Sequence, residues 1–397
     1  MTSKLAAAFL LVLLGGWTAF AFFRSPPAPR LVLAVPYLRA IPGTTLVLTP
    51  PARTEEEVAL EGIGPIAITG EQSPAPIASL TKIMSALVVL RDHPLAKGAN
   101  GPSIPITPAD VVTYRLERSE GDSVVAVRAG ERLSELQALE AALIPSGDNI
   151  TQLLAGWDAG SSGAFTAKMN ALARTLGLRR TSYADPSGVD PATVSTAADQ
   201  VRLAEVAMAI PVFAGIVRMD RVSLPVAGIQ YNVDDDLGSD GIDGVKTGWI
   251  PESGGCFVFS ATDVVEGRRV SILGAVLGEK GATPIPSALA SARKLVTSAE
   301  QTIRFVHLRA GTTVATIDAP SGAPVRVVTS SSISLLGWSG ARAQLAVQLP
   351  RPLHSALKAG SRIGAIVMSL GSERTTTALN TASALTGASF SWRLTHP

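Results

Sequence analysis

One cysteine, Cys256, stands in a chain of 397 residues. Alone it forms no internal disulfide and no CxxC metal knuckle, so neither a disulfide framework nor a zinc ribbon can organise this protein. Histidine is nearly as scarce: the four residues are scattered, without metal-ligand spacing, which argues against metal-based and histidine-based chemistry. Charge is sparse as well, at 17% of residues, and 34 Lys/Arg against 32 Asp/Glu leave a net +2. No dense basic run is present to track a phosphate backbone, so nucleic acid is not an expected partner. What the chain has is apolar residues, 46% of the total, enough for one large domain and a smaller one, each with its own core.

The N-terminus carries the one long apolar run. Lys4 precedes it, it extends from Leu5 to Phe23, and Arg24 and the solvated, extended "SPPAPR" close it. The rest of the chain is therefore expected outside the cytoplasm. Ala19 and Ala21 offer an A-x-A cleavage site; against cleavage, the run is long enough to span a bilayer and bulky Phe22 and Phe23 follow directly. A retained anchor and a cleaved signal both remain open, and length favours the anchor.

Residues 31 to 53, with Pro36, Pro42, Pro50 and Pro51, read as a tether merging into a first strand. "EVALEGIGPIAITG" predicts two short strands and a turn. A helix-rich block follows, with apolar residues at helical spacing in "SLTKIMSALVVL", "RLSELQALEAALI", "NITQLLAGWDA", "AFTAKMNALARTLG" and "STAADQVRLAEVAMAI". From Gly244 the texture turns to strands ("GVKTGWI", "CFVFSATDV", "RRVSILGAVLG"), and "IPSALASARKLVTSAEQTIR" predicts a helix lying back over them. Beyond about residue 304, "TTVATIDA", "PVRVVTS", "AQLAVQL" and "RIGAIVMSL" predict a small second β domain. Its last stretch, "GASFSWRLTHP", is too polar and too short to cross a membrane.

Three short motifs bear chemistry. In "IASLTKIMSALVVL", Ser79 and Lys82 lie three positions apart, on one face of a helix that is about to bury itself. Burial or a neighbouring cation lets a lysine accept a serine proton; the plain alternative is a solvated first-turn lysine. In "LIPSGDNITQLL", Ser146, Gly147, Asp148 and Asn149 interrupt apolar segments, where polar groups need partners or cost about 1–3 kcal/mol each. A cleft wall would supply those partners, and so would a helix N-cap. In "DGVKTGWI", Lys246 and Thr247 sit in a β-rich run where Gly248 allows a substrate backbone to lie close; an edge-strand lysine that blocks aggregation is the alternative.

Taken together, SxxK, a serine-headed second element and KTG on a strand follow the order of penicillin-binding proteins and class A β-lactamases. Over roughly residues 54 to 300 the sequence resembles the serine-type D-alanyl-D-alanine carboxypeptidases of the low-molecular-mass penicillin-binding proteins. The resemblance extends through "AGERLSELQALEAALIPSGDNI", "FTAKMNALARTLGLRRTSYADPSGVDPATVSTAADQVRLA" and "DGVKTGWIPESGGCFVFSA". It implies an α/β (α+β) transpeptidase-like fold, an antiparallel sheet flanked by helices, over residues 31–303. To this it adds an N-terminal segment with tether at 1–30 and the small β domain at 304–397. It also implies Ser79 as acylated nucleophile, Lys82 as general base, Ser146 as proton relay, and Lys246 and Thr247 as carboxylate binders beside Gly248. The backbone N–H groups of Ser79 and of a residue near Trp249 would form the oxyanion hole. Peptidoglycan stem peptides ending in D-Ala-D-Ala and β-lactam antibiotics are the implied ligands, with no cofactor and no metal. The chain would contact the membrane through its N-terminal segment.

Two departures stand out. The family's second motif usually reads Ser-x-Asn, whereas here Asp148 precedes Asn149. If Asp148 faces the cleft, its carboxylate hydrogen-bonds Lys82 and opposes that lysine's role as base; the alternative is that Asn149 serves instead after a small rotation. The arginine found after the sheet in better-known members is missing, and "LGEKGATPIPSA" offers only Lys280, a point charge without the bidentate fork. "ADPSGVD" reads as turn chemistry at Asp185, Pro186 and Gly188. Rival readings are a class A β-lactamase, for which the E-x-x-L-N loop is missing between Gly160 and Ser195, and a transpeptidase, which lacks the usual large extra N-terminal domain. A non-catalytic peptidoglycan-binding protein disabled at Asp148 is the rival from another class.

Overall fold

The computed structural model describes every residue except Met1, Pro26, Gly70, Pro320, Ser321, Pro350, Arg351, Pro352, His354, Ser355 and Pro397. Two compact units are formed, one from Met1–Gly43 with Arg304–Pro397 and one from Thr44–Ile303.

The first unit opens with helix α1 (Thr2–Phe23) and the short strands β1 (Arg30–Leu33) and β2 (Leu38–Ala40). Its sheet is completed by β8 (Thr313–Asp318), β9 (Val325–Thr329), β10 (Arg342–Gln348), β11 (Arg362–Leu370) and β12 (Glu373–Thr381), in the order β1-β8-β9-β12-β11-β10-β2. All neighbours are antiparallel, and Leu31 faces Ile317 while Arg39 faces Ala343. Residues 31–43, which sequence alone attaches to the catalytic region, thus belong with the C-terminal strands. The reason is edge chemistry: β1 and β2 cover the two outer strands of the sheet, whose backbone N–H and C=O groups would otherwise be open to another chain. Helix α10 (Phe390–Thr395) ends this unit.

The second unit is built on β3 (Glu55–Leu60), β4 (Gly64–Ile68), β5 (Ile242–Ile250), β6 (Gly254–Val265) and β7 (Arg268–Glu279). Its order is β5-β6-β7-β3-β4, antiparallel throughout, so the N-terminal hairpin joins the C-terminal meander by pairing Leu60 with Ile272. The helix α9 (Pro284–Glu300) lies on β6 and β7 through Ala288, Leu289, Ala292, Leu295, Val296 and Ala299, spaced three or four apart. Across the sheet stands a helical layer: α2 (Thr81–Asp92), α3 (Pro108–Glu120), α4 (Glu135–Leu143), α5 (Asp148–Ala159), α6 (Ser162–Leu176), α7 (Ala197–Met208) and α8 (Pro211–Val217). Within this layer α2 is buried from Thr81 to Leu90 and packs on α4, α5, α6 and α7. A helix apolar all round belongs in the centre, and this one carries Lys82 there.

Helix α3 escapes apolar periodicity because none of its residues is buried. What starts it is local: Thr107 and Asp110 form a capping box, Pro108 follows, and Gly121 ends the helix in the left-handed region.

Buried carboxyls give this unit a pH signature. Burial pushes Glu56, Glu57 and Glu135 up to about 7 from an ordinary 4.5, with the Glu279 charge adding to the rise at Glu56 and those of Asp199 and Glu205 at Glu57. Between pH 4.5 and 7 the folded state holds protons that the unfolded chain has lost, so stability is highest below 4.5 and declines as pH rises through 7. Thermal unfolding followed from pH 5 to 7.5 should show a midpoint falling by several degrees. A flat or rising midpoint would contradict the burial of these groups.

Candidate active site

The site forms where α2 begins. Residues Ala78–Leu80 make a single 3-10 turn that leads into α2, with Ala78 at φ 47° and Ser79 half-buried at the turn. Lys82, 1% exposed, aims its Nζ at three acceptors: Ser79 Oγ at 2.8 Å, Asp148 Oδ1 at 2.5 Å and the Ser187 carbonyl at 3.2 Å. The i, i+3 spacing thus does what helical geometry predicts, placing the ammonium against the hydroxyl.

Asp148, not Asn149, faces Lys82. Asp148 is the first residue of α5 and its second oxygen accepts the Ser123 N–H at 3.0 Å. Asn149 points the other way, its amide pairing twice with Val125, accepting that N–H and donating to that carbonyl, both at 2.9 Å. The Asn149 side chain is therefore committed to holding the 123–125 segment against α5 rather than to the cleft. Ser146 is 4% exposed in the left-handed region at φ 65°, a conformation costing a non-glycine residue about 1–3 kcal/mol. It does not cap α5, whose N-cap is Gly147 without a side-chain bond. A cap would have explained this serine without chemistry, and that explanation fails.

The third wall is β5. Lys246 and Thr247 are 1% and 2% exposed, whereas Trp249 is 48% exposed. At Gly248 the close approach is to the protein itself: a Cβ there would stand 2.9 Å from the Ser79 nitrogen and 3.2 Å from that of Leu80. The glycine lets β5 lie directly against the turn that carries Ser79. Lys280 is engaged elsewhere, donating to the Glu252 carbonyl at 3.0 Å on the exposed hairpin.

The "ADPSGVD" loop is more than a turn. Asp185 Oδ2 gathers the N–H groups of Ser187, Gly188 and Val189 and the Ser187 hydroxyl, while Oδ1 takes the Thr193 hydroxyl. This folds Ser187 so that its carbonyl meets Lys82. Gly188 sits at φ 86° where any Cβ would lie 1.9 Å from the Ala78 carbonyl, so the loop braces the turn that carries Ser79.

Two further carboxyls escaped sequence reading because nothing in their local pattern marks them. Asp234 is 5% exposed; its Oδ1 accepts the Asp236 N–H, while Oδ2 is buried without a partner among the described residues. Asn232 ties that loop to Met219, and the Val233 N–H ties it to Ile144, just ahead of Ser146. Glu117 on α3 turns a buried Oε2 inward and is pushed up to about 7 by burial, then by the charges of Asp148 and Asp122, against the opposing pull of Lys82. On Lys246, burial lowers the ammonium to about 7, helped by Lys82, with Asp148 and Asp234 acting in the other direction.

A family model described as D-alanyl-D-alanine carboxypeptidase, Peptidase S11, matches residues 66–281, more than half of the chain. The chain belongs to this family. Among curated proteins it is 34% identical over 204 residues to the D-alanyl-D-alanine carboxypeptidase DacB2 of Mycobacterium tuberculosis, covering 50% of this chain and 65% of that one. It is 38% identical over 129 residues to a D-alanyl-D-alanine endopeptidase of Pseudomonas aeruginosa, covering 32% and 38%. The matched stretches thus span between 38% and 65% of the first of these relatives' own lengths. Of solved structures, the Streptomyces K15 DD-transpeptidase superposes with TM-score 0.56 at 25% identity over 64% of this chain and 98% of that one. Penicillin binding protein 5 from Haemophilus influenzae superposes with TM-score 0.60 at 20% identity over 86% and 100%. The α/β transpeptidase fold with its antiparallel sheet is that of penicillin-binding D,D-carboxypeptidases.

Proposed function

We propose that this family member is a serine D,D-carboxypeptidase that trims the terminal D-alanine from peptidoglycan stem peptides outside the cytoplasm, with α1 retained as its membrane anchor. The observation that carries the reading is the buried Lys82 ammonium set 2.8 Å from the Ser79 hydroxyl, beside the buried Lys246 and Thr247 of β5. Lys82 accepts the Ser79 proton as Oγ attacks the carbonyl of the penultimate residue. The backbone N–H groups of Ser79 and Trp249 receive the oxyanion, where one such donor is commonly worth about 3 kcal/mol. Ser146 passes a proton to the departing amine, and Lys246 and Thr247 hold the terminal carboxylate. Water then cleaves the ester and frees Ser79. A β-lactam acylates the same oxygen and leaves slowly.

The test is release of free D-alanine from a synthetic pentapeptide ending in D-Ala-D-Ala, with and without an added amine acceptor. Hydrolysis in both conditions supports the carboxypeptidase. Product only with the amine would instead favour transpeptidation, and a folded protein that neither releases D-alanine nor forms an adduct would return it to peptide binding.

Buried Lys246 also sets an expected pH profile. Holding the terminal carboxylate needs Lys246 with its proton, and burial lets that proton go as pH rises through about 7. kcat/KM for a carboxylate-bearing peptide should therefore fall as pH rises through about 7. Asp234→Asn, which removes one of the carboxylates favouring the charged Lys246, should move that limb down by up to about one pH unit. A limb unmoved in this variant would show that Asp234 does not act on Lys246.

A further inference from the structure

A cavity of about 300 Å³ opens between the first hairpin of the sheet and α7, and none of its lining residues belongs to the site around Ser79. Its floor is one face of the sheet. Glu57 and Ala59, two apart on β3, share that face, and Leu273 of β7 and Pro65 of β4 flank Ala59 in register. The wall is the start of α7, which brings Asp199, Val201, Arg202 and Glu205 to the cavity.

At the bottom stands a carboxyl that the fold leaves unanswered. Glu57 is 6% exposed, and its Oε2 is buried without a hydrogen-bond partner among the described residues. The carboxylates around it are occupied differently: Asp199 Oδ2 accepts the Arg180 N–H and the Thr181 hydroxyl, both at 2.8 Å, and Glu205 Oε1 accepts the Gly62 N–H at 2.5 Å. Neither donates to Glu57. Directly across the strands Glu57 faces Ala275 of β7 and Ile68 of β4, so the charged groups about it are Asp199, Arg202 and Glu205 of α7 and Glu61 of the hairpin. Arg202 is exposed and forms no ion pair with any of them among the described residues. Four carboxyls against one guanidinium make the cavity a place for positive charge.

The occupant's chemistry follows from the walls. No three His, Cys, Asp or Glu side chains among the described residues are grouped to hold a metal ion, whereas Ala59, Leu60, Val201 and Leu273 offer apolar surface beside the acid. We infer that this cavity binds a primary ammonium group on a short aliphatic stem, the ammonium donating to Glu57 Oε2 and the stem lying along Ala59 and Leu273. A buried carboxyl without a partner destabilises the fold, and a ligand that donates to it recovers that loss. An ammonium brings three donors, enough to reach Glu57 and the free oxygens of its neighbours. A free alkylamine and the side chain of a lysine-like residue in a peptide carry the same group, and the inference stands apart from the reading of Ser79 as nucleophile.

The full chain is titrated by calorimetry with butylamine, diaminobutane and the Nα-acetyl amide of lysine, at pH 5.5 and 7.5 and in buffers of different ionisation heat. Burial, with the charges of Asp199 and Glu205, pushes Glu57 up to about 7, and an ammonium seated on it favours the ionised form. Binding at pH 5.5 should therefore release a proton, and affinity should rise about tenfold or more by pH 7.5. Glu57→Gln keeps the volume and removes the charge; circular dichroism should show it folded, with binding at pH 7.5 weaker by about tenfold or more and no proton released. Butanol, which has the stem without the charge, should not bind. Tighter binding of diaminobutane would assign the site to a free amine, tighter binding of the lysine amide to a peptide side chain, and either supports it. Amines that bind Glu57→Gln as well as wild type, or wild type without releasing a proton at pH 5.5, would overturn the inference. So would a folded wild-type protein that binds none of the three at millimolar concentration.

Discussion

Fluorescent penicillin should label the wild-type protein on one peptide, that containing Ser79, and leave Ser79→Ala unlabelled at any incubation time. The expected loss is complete because the proposed bond is to the Ser79 Oγ, and among the described residues that is the one hydroxyl to which the Lys82 ammonium hydrogen-bonds. The variant should also stay folded. Lys82 keeps Asp148 and the Ser187 carbonyl as acceptors, and the loss of one hydrogen bond to a half-buried serine costs about 1 kcal/mol. Unchanged thermal unfolding with no adduct separates lost chemistry from lost structure. A labelled Ser79→Ala would move the nucleophile elsewhere, and Ser146 would be examined next.

The second large effect concerns Asp148. Its replacement by asparagine should speed acylation of Ser79 at pH 7 by about tenfold or more, since a carboxylate in contact with an ammonium favours its charged form and so opposes proton acceptance. The carboxylate stabilises the charged form of Lys82, and the base has to be the neutral form. Asparagine can still accept from Lys82 through its carbonyl oxygen. It loses the Ser123 N–H bond, because its amide nitrogen is a donor facing a donor. The variant is therefore expected to acylate faster and to unfold at a somewhat lower temperature. The time course of penicillin labelling at several pH values is the measurement. Slower labelling would mean that Asp148 takes the proton onward from Lys82, making the carboxylate part of the relay instead of a brake on it.

Three features were readable without coordinates. The spacing of Ser79 and Lys82 on an apolar helix, the strand character of the KTG segment and the helix that follows the sheet all depend on local periodicity, which a linear sequence carries. The three strands after Gly244 and the hairpin at 55–68 were legible for the same reason. Helix α3 was not, because it buries nothing and so has no stripe.

Orientation within the site needed the tertiary structure. Asp148 and Asn149 are adjacent, and either could have faced the cleft; the choice is made by Ser123 and Val125, which arrive from a loop more than twenty residues away and hydrogen-bond both side chains in place. Asp185 reads as a turn residue, and only the folded loop shows that the turn delivers a carbonyl to Lys82. Asp234 carries no motif at all, and its position beside Lys246 follows from the packing of its loop between Met219 and Ile144. The same holds at the termini: β1 and β2 read as part of a tether because an isolated four-residue strand has no stability of its own, and it becomes a strand only by covering an edge that residues some 300 positions later provide. By itself the sequence determined on which kind of element Lys82, Lys246 and Thr247 sit. Which way they face, and what holds them there, was decided by contacts between distant segments, because hydrogen-bond partners are set by proximity in the fold and not along the chain.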